Sequence, residues 1–457
     1  MNHQFRDSLF VAVILLGCLL VRAGRGQFLE SVIPVGDTPS DVLWNPVNNK
    51  VYTANSQGGT VTVIDGATNQ VLATVPVADD PTFLCHNSVN NKIYCTSPES
   101  NWLSVIDGIG DSLIRKVRVR GGPTRMVFNA TMDKLYIVCI DDRMVRVYDG
   151  LADTLVAEVW FGDLNVPYTA LWHPASNRVF CTTDSDAEID TVFVIDCASD
   201  EIAERRPTGS GPYALCWSPA NNLVYVGTGC GIMVLAADGH SVLDTVPAYA
   251  GDMCFAPYPN KIYSVTSGMT YVINCDSQTL SESLPYGSYC VVCDTTRGRV
   301  YGAGRYATRV FDARADTWIT TISTGQSPQH IRWNSTNSRV YIADAMDDAV
   351  YVIRDTTTGV AEPGVPVFDP SPLIVASPNP FVRTVTIECG VRFAAGAGIF
   401  IFSQDGRQVR RLAPGLTLPG TSAWDGKDQL GRSVPRGVYL AVVEGQTGVR
   451  AKLVKLQ

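Results

Sequence analysis

Residues 45–77 read NPVNNKVYTANSQGGTVTVIDGATNQVLATVPV, and residues 87–119 read NSVNNKIYCTSPESNWLSVIDGIGDSLIRKVRV. The second stretch repeats the first with its side chains varied and its punctuation kept. Counting from the aromatic that follows the basic residue and the branched aliphatic gives eight anchors: Tyr52, Tyr94, Tyr136, Phe180, Tyr225, Tyr263, Tyr301 and Tyr341, spaced 38 to 45 residues apart. A fixed period of this size marks a repeat architecture. Eight positions before each anchor stand Trp44, His86, Phe128, Trp172, Trp217, Phe255, Cys293 and Trp333. Thirteen before it, six copies carry proline: Pro39, Pro81, Pro123, Pro167, Pro212 and Pro328.

Each copy holds four short apolar runs divided by Asn, Asp and Gly, residues that tolerate the left-handed backbone of tight turns. In the first copy the runs are 41–44, 50–54, 61–65 and 71–77. Four strands per unit of about forty residues is the blade of a β-propeller, in which each small sheet is covered on both faces by its neighbours. Val42, Leu43 and Trp44 are therefore apolar in succession. The expected fold is all-β: a propeller over 28–359 with eight blades, or seven with one copy displaced, followed by a small Ig-like β-sandwich. FLESVIPVG at 28–36 resembles the fourth strand of the other copies. It is expected to complete the last blade and fasten the ring.

The repeated run NNKVYTAN…VTVIDGATNQVLATVPVADDP resembles the YVTN-type β-propeller repeat of secreted and surface-layer proteins. Copies six and seven depart most, with Ala250 and Ser288 in place of proline and Asn274 in place of the aspartate seen at Asp65, Asp107, Asp149, Asp196 and Asp312.

The chain opens with Arg6 and a thirteen-residue apolar stretch from Leu9 to Val21. This is too short to span a bilayer and fits a secretory signal peptide over 1–26, cleaved after Ala23 or near Gly26. LLGC, ending at Cys18, resembles a lipobox and keeps a lipid-anchored alternative open. A proline-rich linker at 360–372 leads to a module over 373–457. SPNPF at 377–381, GIFIFSQDGRQVRRL at 398–412 and WDGKDQLGRSVPRGVYL at 424–440 resemble the Ig-like domain of flagellar hook-capping proteins and the type A sorting domain of type IX secretion. The resemblance implies an address or anchor, with secretion or cell-surface machinery as the partner.

Thirty-six basic residues stand against 44 acidic, a net charge of −8 with no long run of either sign. Such a surface lacks the basic face that nucleic-acid binding needs, and beyond the leader no apolar run approaches the length that crosses a membrane. No cofactor motif is present, neither a phosphate loop nor a metal-spaced histidine pair. His86 and His173 occupy repeat positions filled elsewhere by Trp or Asn, and the recurring aspartates precede turns. Both sets read as structural. If Trp44 faces Tyr52 across the first hairpin, the same register sets Cys85 opposite Cys95, at disulfide distance. Cys290 and Cys293 have redox spacing but sit on a strand.

The variable positions, eleven and twelve residues before each anchor, converge on one rim of the channel. Their candidates for ligand binding are Asp41, Arg125, Tyr168, Tyr213, Asp252, Tyr289, Gln329 and His330, polar groups beside aromatic faces, suited to a glycan, peptide or protein ligand. The expected function is an exported or cell-surface binding or scaffold protein. A lactonase-like hydrolase and a purely structural envelope protein are the alternatives.

Overall fold

The computed structural model describes residues 26–185, 190–356, 374–377, 381–389, 399–403, 407–412, 420–443 and 450–456. All but the last residue of the leader 1–26, with Cys18, and the whole of the linker 360–372 lie outside them. The chain divides into two compact units, 1–360 and 361–457.

The first unit contains eight four-stranded antiparallel sheets. Seven are built from four consecutive strands, beginning with Pro39–Asn45, Lys50–Asn55, Thr60–Asp65 and Val71–Pro76. The eighth takes three strands from the end of the unit and its outermost strand, Gln27–Pro34, from the start. That strand runs antiparallel to Ala349–Asp355, with Phe28 opposite Arg354 and Val32 opposite Tyr351. The innermost strands touch in cyclic order, and Pro39–Asn45 of the first blade meets both Phe83–Asn87 of the second and Pro328–Asn334 of the eighth. The ring is closed with eight blades.

The repeat follows from backbone geometry. The residue three before each anchor ends the turn of the first hairpin with a left-handed backbone: Asn49, Asn91, Asp133, Asn177, Asn222, Asn260, Gly298 and Ser338 have φ between 49° and 70°. Asn, Asp and Gly pay little for that conformation. The anchor aromatic is then carried between blades, where seven tyrosines and Phe180 are at most 1% exposed. The aspartates before the third hairpin cap its turn: Asp65 Oδ1 accepts the N–H groups of Ala67 and Thr68, and Asp149, Asp196 and Asp312 do the same in their blades. Asn274, the departure in copy six, makes the same two bonds.

One register expectation fails. Asn45 pairs with Lys50, which leaves four residues in the turn and sets Leu43, not Trp44, opposite Tyr52. In the second blade Cys85 accordingly faces Tyr94, and Cys95 faces Leu84. A one-residue shift sends a side chain to the other face of the sheet. Cys85 packs against the third blade and Cys95 against the first, and both are free thiols. Burial pushes Cys85 up to about 12 and raises Cys95 too, as expected of small apolar residues. Cys290 and Cys293 are likewise buried in separate cores.

In the second unit, Ile374–Ser377, Val385–Cys389 and Gly420–Trp424 form one sheet, and Gln408–Leu412, Ile399–Ser403, Gly437–Val443 and Arg450–Lys455 another. Phe381 and Tyr439, drawn from two of the quoted motifs, flank the fully buried Trp424 at ring distances of 5.5 and 5.1 Å. The indole N–H donates to the Lys427 carbonyl at 2.9 Å. Among the described residues no helix is long and apolar enough to cross a membrane.

Candidate functional site at the channel mouth

Each innermost strand starts at one mouth of the channel and ends at the hairpin turn. The positions eleven and twelve before the anchor therefore recur around one rim. Six of the eight predicted residues, Arg125, Tyr213, Asp252, Tyr289, Gln329 and His330, line a single cavity of about 260 Å³ there. The lining comes from blades three to eight.

Tyr168, Tyr213 and Tyr289 are 43%, 47% and 50% exposed, so these rings serve no core. Tyr168 lies outside the cavity lining but sets its edge on Tyr213, with centroids 5.7 Å apart. Gly211 makes room for the Tyr213 ring, since a Cβ there, at φ +56°, would lie 2.5 Å from it. The Arg125 guanidinium stacks over Phe83 at 4.8 Å and Tyr168 at 5.9 Å, a cation–π arrangement across three blades. Gln329 is exposed and donates to Ser327 Oγ at 2.9 Å.

The two aspartates of the rim do a different task. Asp41 is 2% exposed and stands behind the cavity. Its Oδ1 accepts the Val42 N–H at 2.7 Å, and its Oδ2 the Leu84 N–H of the next blade at 2.9 Å. His330 Nδ1 of the eighth blade lies 2.7 Å from Oδ1. Burial pushes the Asp41 carboxyl up. The charges of His330 and Arg332 and the Leu84 N–H outweigh it and hold the group below the usual carboxylate range. Asp252 repeats the pattern two blades from the end: its Oδ1 takes Met253 N–H and its Oδ2 takes Val291 N–H of the next blade, both at 2.9 Å. Both carboxylates are turned to backbone donors and tie neighbouring inner strands together.

Arg332 also lines the cavity and was not among the predicted residues. The sequence carries a signal for it. Nine positions before the anchor the other copies have Leu43, Cys85, Val127, Leu171, Cys216, Cys254 and Val292, and Arg332 is the lone cation in that column. It is half-buried, and its one hydrogen bond is donated to the Ile331 carbonyl at 2.9 Å.

Elsewhere the histidines are structural. His173 is fully buried and contacts Ser176 through Nδ1 at 2.9 Å, and His86 meets Asn91 at 3.1 Å. Burial lowers the pKa of both. No group of three His, Cys, Asp or Glu is placed to hold a metal ion among the described residues.

The sequence matches no protein-family profile. It matches none of the curated proteins either. Among solved structures, the chain is similar to a chain of the hydrazine synthase of Kuenenia stuttgartiensis, with 16% identity and a TM-score of 0.52 over 74% of this chain and 99% of that one. At that identity the likeness concerns the fold, and the chain is a β-propeller followed by a small β domain.

Proposed function

We propose that the chain is an exported or surface-held binding protein whose ligand, a glycan, peptide or protein segment, docks at the channel mouth lined by Arg125, Tyr213, Asp252, Tyr289, Gln329, His330 and Arg332. The observation that carries this is the exposure of three tyrosines at equivalent positions of the ring, on a rim where fold maintenance asks nothing of them. Half-exposed aromatics around a concave polar site are a common form of ligand contact. The leader and the resemblance of the final module to sorting and anchoring domains support export, with that module as the address.

Two measurements test the reading. Glycan and peptide arrays are probed with the full chain and with a variant carrying Tyr168→Ala, Tyr213→Ala and Tyr289→Ala. Binding lost at an unchanged melting temperature supports the rim, and binding retained by the triple variant refutes it. A chain ending near Pro370 is expected to melt as the full propeller does and to lose its place at the cell surface; normal retention there refutes the address role.

A further inference from the structure

The rim contains more hydrogen-bond donors than it uses. Arg125 makes no hydrogen bond or ion pair with any described residue; its guanidinium is held only by the faces of Phe83 and Tyr168. Arg332 spends one donor on a backbone carbonyl of its own strand and pairs with no carboxylate within 4.0 Å. The acceptors nearby are already spoken for, since both oxygens of Asp41 and both of Asp252 take N–H groups of the blades. A guanidinium is a planar fork of five donors that matches a carboxylate. Two such forks line one cavity, beside Asp252 in its wall and with the buried Asp41 carboxylate behind it, and neither guanidinium is paired with a carboxylate.

The size and walls of the cavity narrow the ligand further. About 260 Å³ is below the ~300–1,000 Å³ of sites for drug-sized molecules, so it holds one ring-sized group and not an extended chain. Tyr213 and Tyr289 offer ring faces for C–H packing and hydroxyls for hydrogen bonding, and Gln329 adds an amide. A pyranose presents both apolar C–H faces and hydroxyls.

Resting on the proposed rim-binding function, we infer that this mouth takes an acidic sugar, a uronate unit of a glycan, with its carboxylate at Arg332 and Arg125 and its ring against the tyrosines. The test is titration calorimetry of the full chain with glucuronate and galacturonate oligosaccharides, with neutral oligosaccharides of the same linkage, and with an acidic peptide. The uronate is expected to bind, to lose affinity by about tenfold or more in Arg332→Gln and in Arg125→Gln, and to outcompete both the neutral sugar and the peptide. Melting curves accompany each variant. Should Arg332→Gln fail to fold, Arg125→Gln carries the test alone, because Arg125 has no structural hydrogen bond to lose. Equal binding of neutral and acidic sugars, tighter binding of the peptide, or uronate affinity untouched by the Arg125 substitution overturns the inference while leaving a rim that binds. Absence of binding by every probe overturns the inference, and the array then decides separately whether the rim binds at all.

Discussion

The two ends of the propeller ring are built from the same eight blades and treat their side chains in opposite ways. At the end where the first hairpins turn, the repeat is conserved from blade to blade because it forms the joints. Lys50 Nζ reaches Asp111 of the next blade at 2.7 Å, with Tyr52 OH donating to the same carboxylate at 3.4 Å. Lys92 and Tyr94 meet Asp153 at 2.9 Å each, and Lys134 and Tyr136 meet Asp200 at 2.7 and 2.8 Å. Lys261 and Tyr263 hold Asp316, and Tyr301 holds Asp355. Burial and the neighbouring carboxylates push these phenols up, so they remain donors. At the other end the Lys–Tyr–Asp joint is absent, Asp41 and Asp252 each tie one inner strand to the next, and the remaining positions vary, with Ser, Thr, Phe, Arg, Tyr, Gln and His among them. Repetition marks what the ring needs; variation marks where the ring is free to bind.

The joint residues also explain a second column of left-handed backbone. Asp111, Asp153, Asp200 and Asp316 have φ between 52° and 58°, so each both terminates its own hairpin and accepts the clamp of the preceding blade. Asn69 does this for the last joint, taking Tyr341 OH at 2.9 Å, while Arg339 donates to the carbonyls of Gly66 and Ala67. Blade four breaks the pattern. Phe180 has no hydroxyl, and Arg178 reaches only the Asp238 carbonyl of blade five. Blade five substitutes a side-chain amide, with Asn221 Nδ2 bonding the Cys275 carbonyl at 2.7 Å.

The contrast can be broken in four places, from the largest effect to the smallest. Deleting 27–34 removes the outer strand of the eighth blade and exposes the edge of Ala349–Asp355, an invitation to pair with other chains. The expected outcome is aggregation or a melting temperature lower by well over 10 °C, read by scanning calorimetry and light scattering; a soluble monomer with unchanged melting would count against closure by this strand. Asp153→Ala comes next. The side chain is fully buried and holds Lys92 and Tyr94, so its loss leaves the lysine charge without its carboxylate and both groups with only the backbone carbonyls of Gly150 and Leu151, at about 3 kcal/mol by urea unfolding. Tyr94→Phe in the same joint is expected to cost about 1 kcal/mol.

A smaller effect is tied to pH. Arg339 grips Glu30 of the closing strand at 2.6 and 2.7 Å. Burial pushes the Glu30 carboxyl up, but the hydrogen bond and charge of Arg339 and the charge of Arg354 prevail and hold it below its ordinary 4.5. A depressed carboxylate contributes stability that is fully present above the unfolded value and lost as pH falls through the folded one. The melting temperature of the native chain is therefore expected to drop more steeply below pH 4.5 than that of Glu30→Gln. Parallel curves for the two would remove the clamp from the closure.

The smallest effect belongs to the rim. Single Tyr→Ala changes at 168, 213 and 289 are expected to alter stability by no more than about 0.5 kcal/mol, the range of surface substitutions. A loss of 2 kcal/mol at any of them would make that tyrosine part of the frame and dissolve the contrast between the two ends.

Much of this was legible in the chain. The period, the four strands per period and the turn residues follow from local rules, because Asn at position 49 and Asp at position 65 act within their own hairpins. The closing role of 28–36 was legible too, from its likeness to the fourth strands. The rim was legible as variation in two columns, yet Arg332 was overlooked because it stands two residues further in, among positions that elsewhere are apolar.

What the sequence alone determined is the unit: strand lengths, turns, and the residues that recur because each hairpin needs them. Tertiary structure decided everything that depends on one blade meeting another. The hairpin register, and with it the separation of Cys85 from Cys95, hung on one residue of turn length. The pairing of Lys92 and Tyr94 with Asp153 joins residues about sixty apart, and the union of Arg125 with Arg332 joins residues of blades three and eight. No local pattern encodes such distances, since they arise only when the ring closes and places side chains from separate blades around one channel.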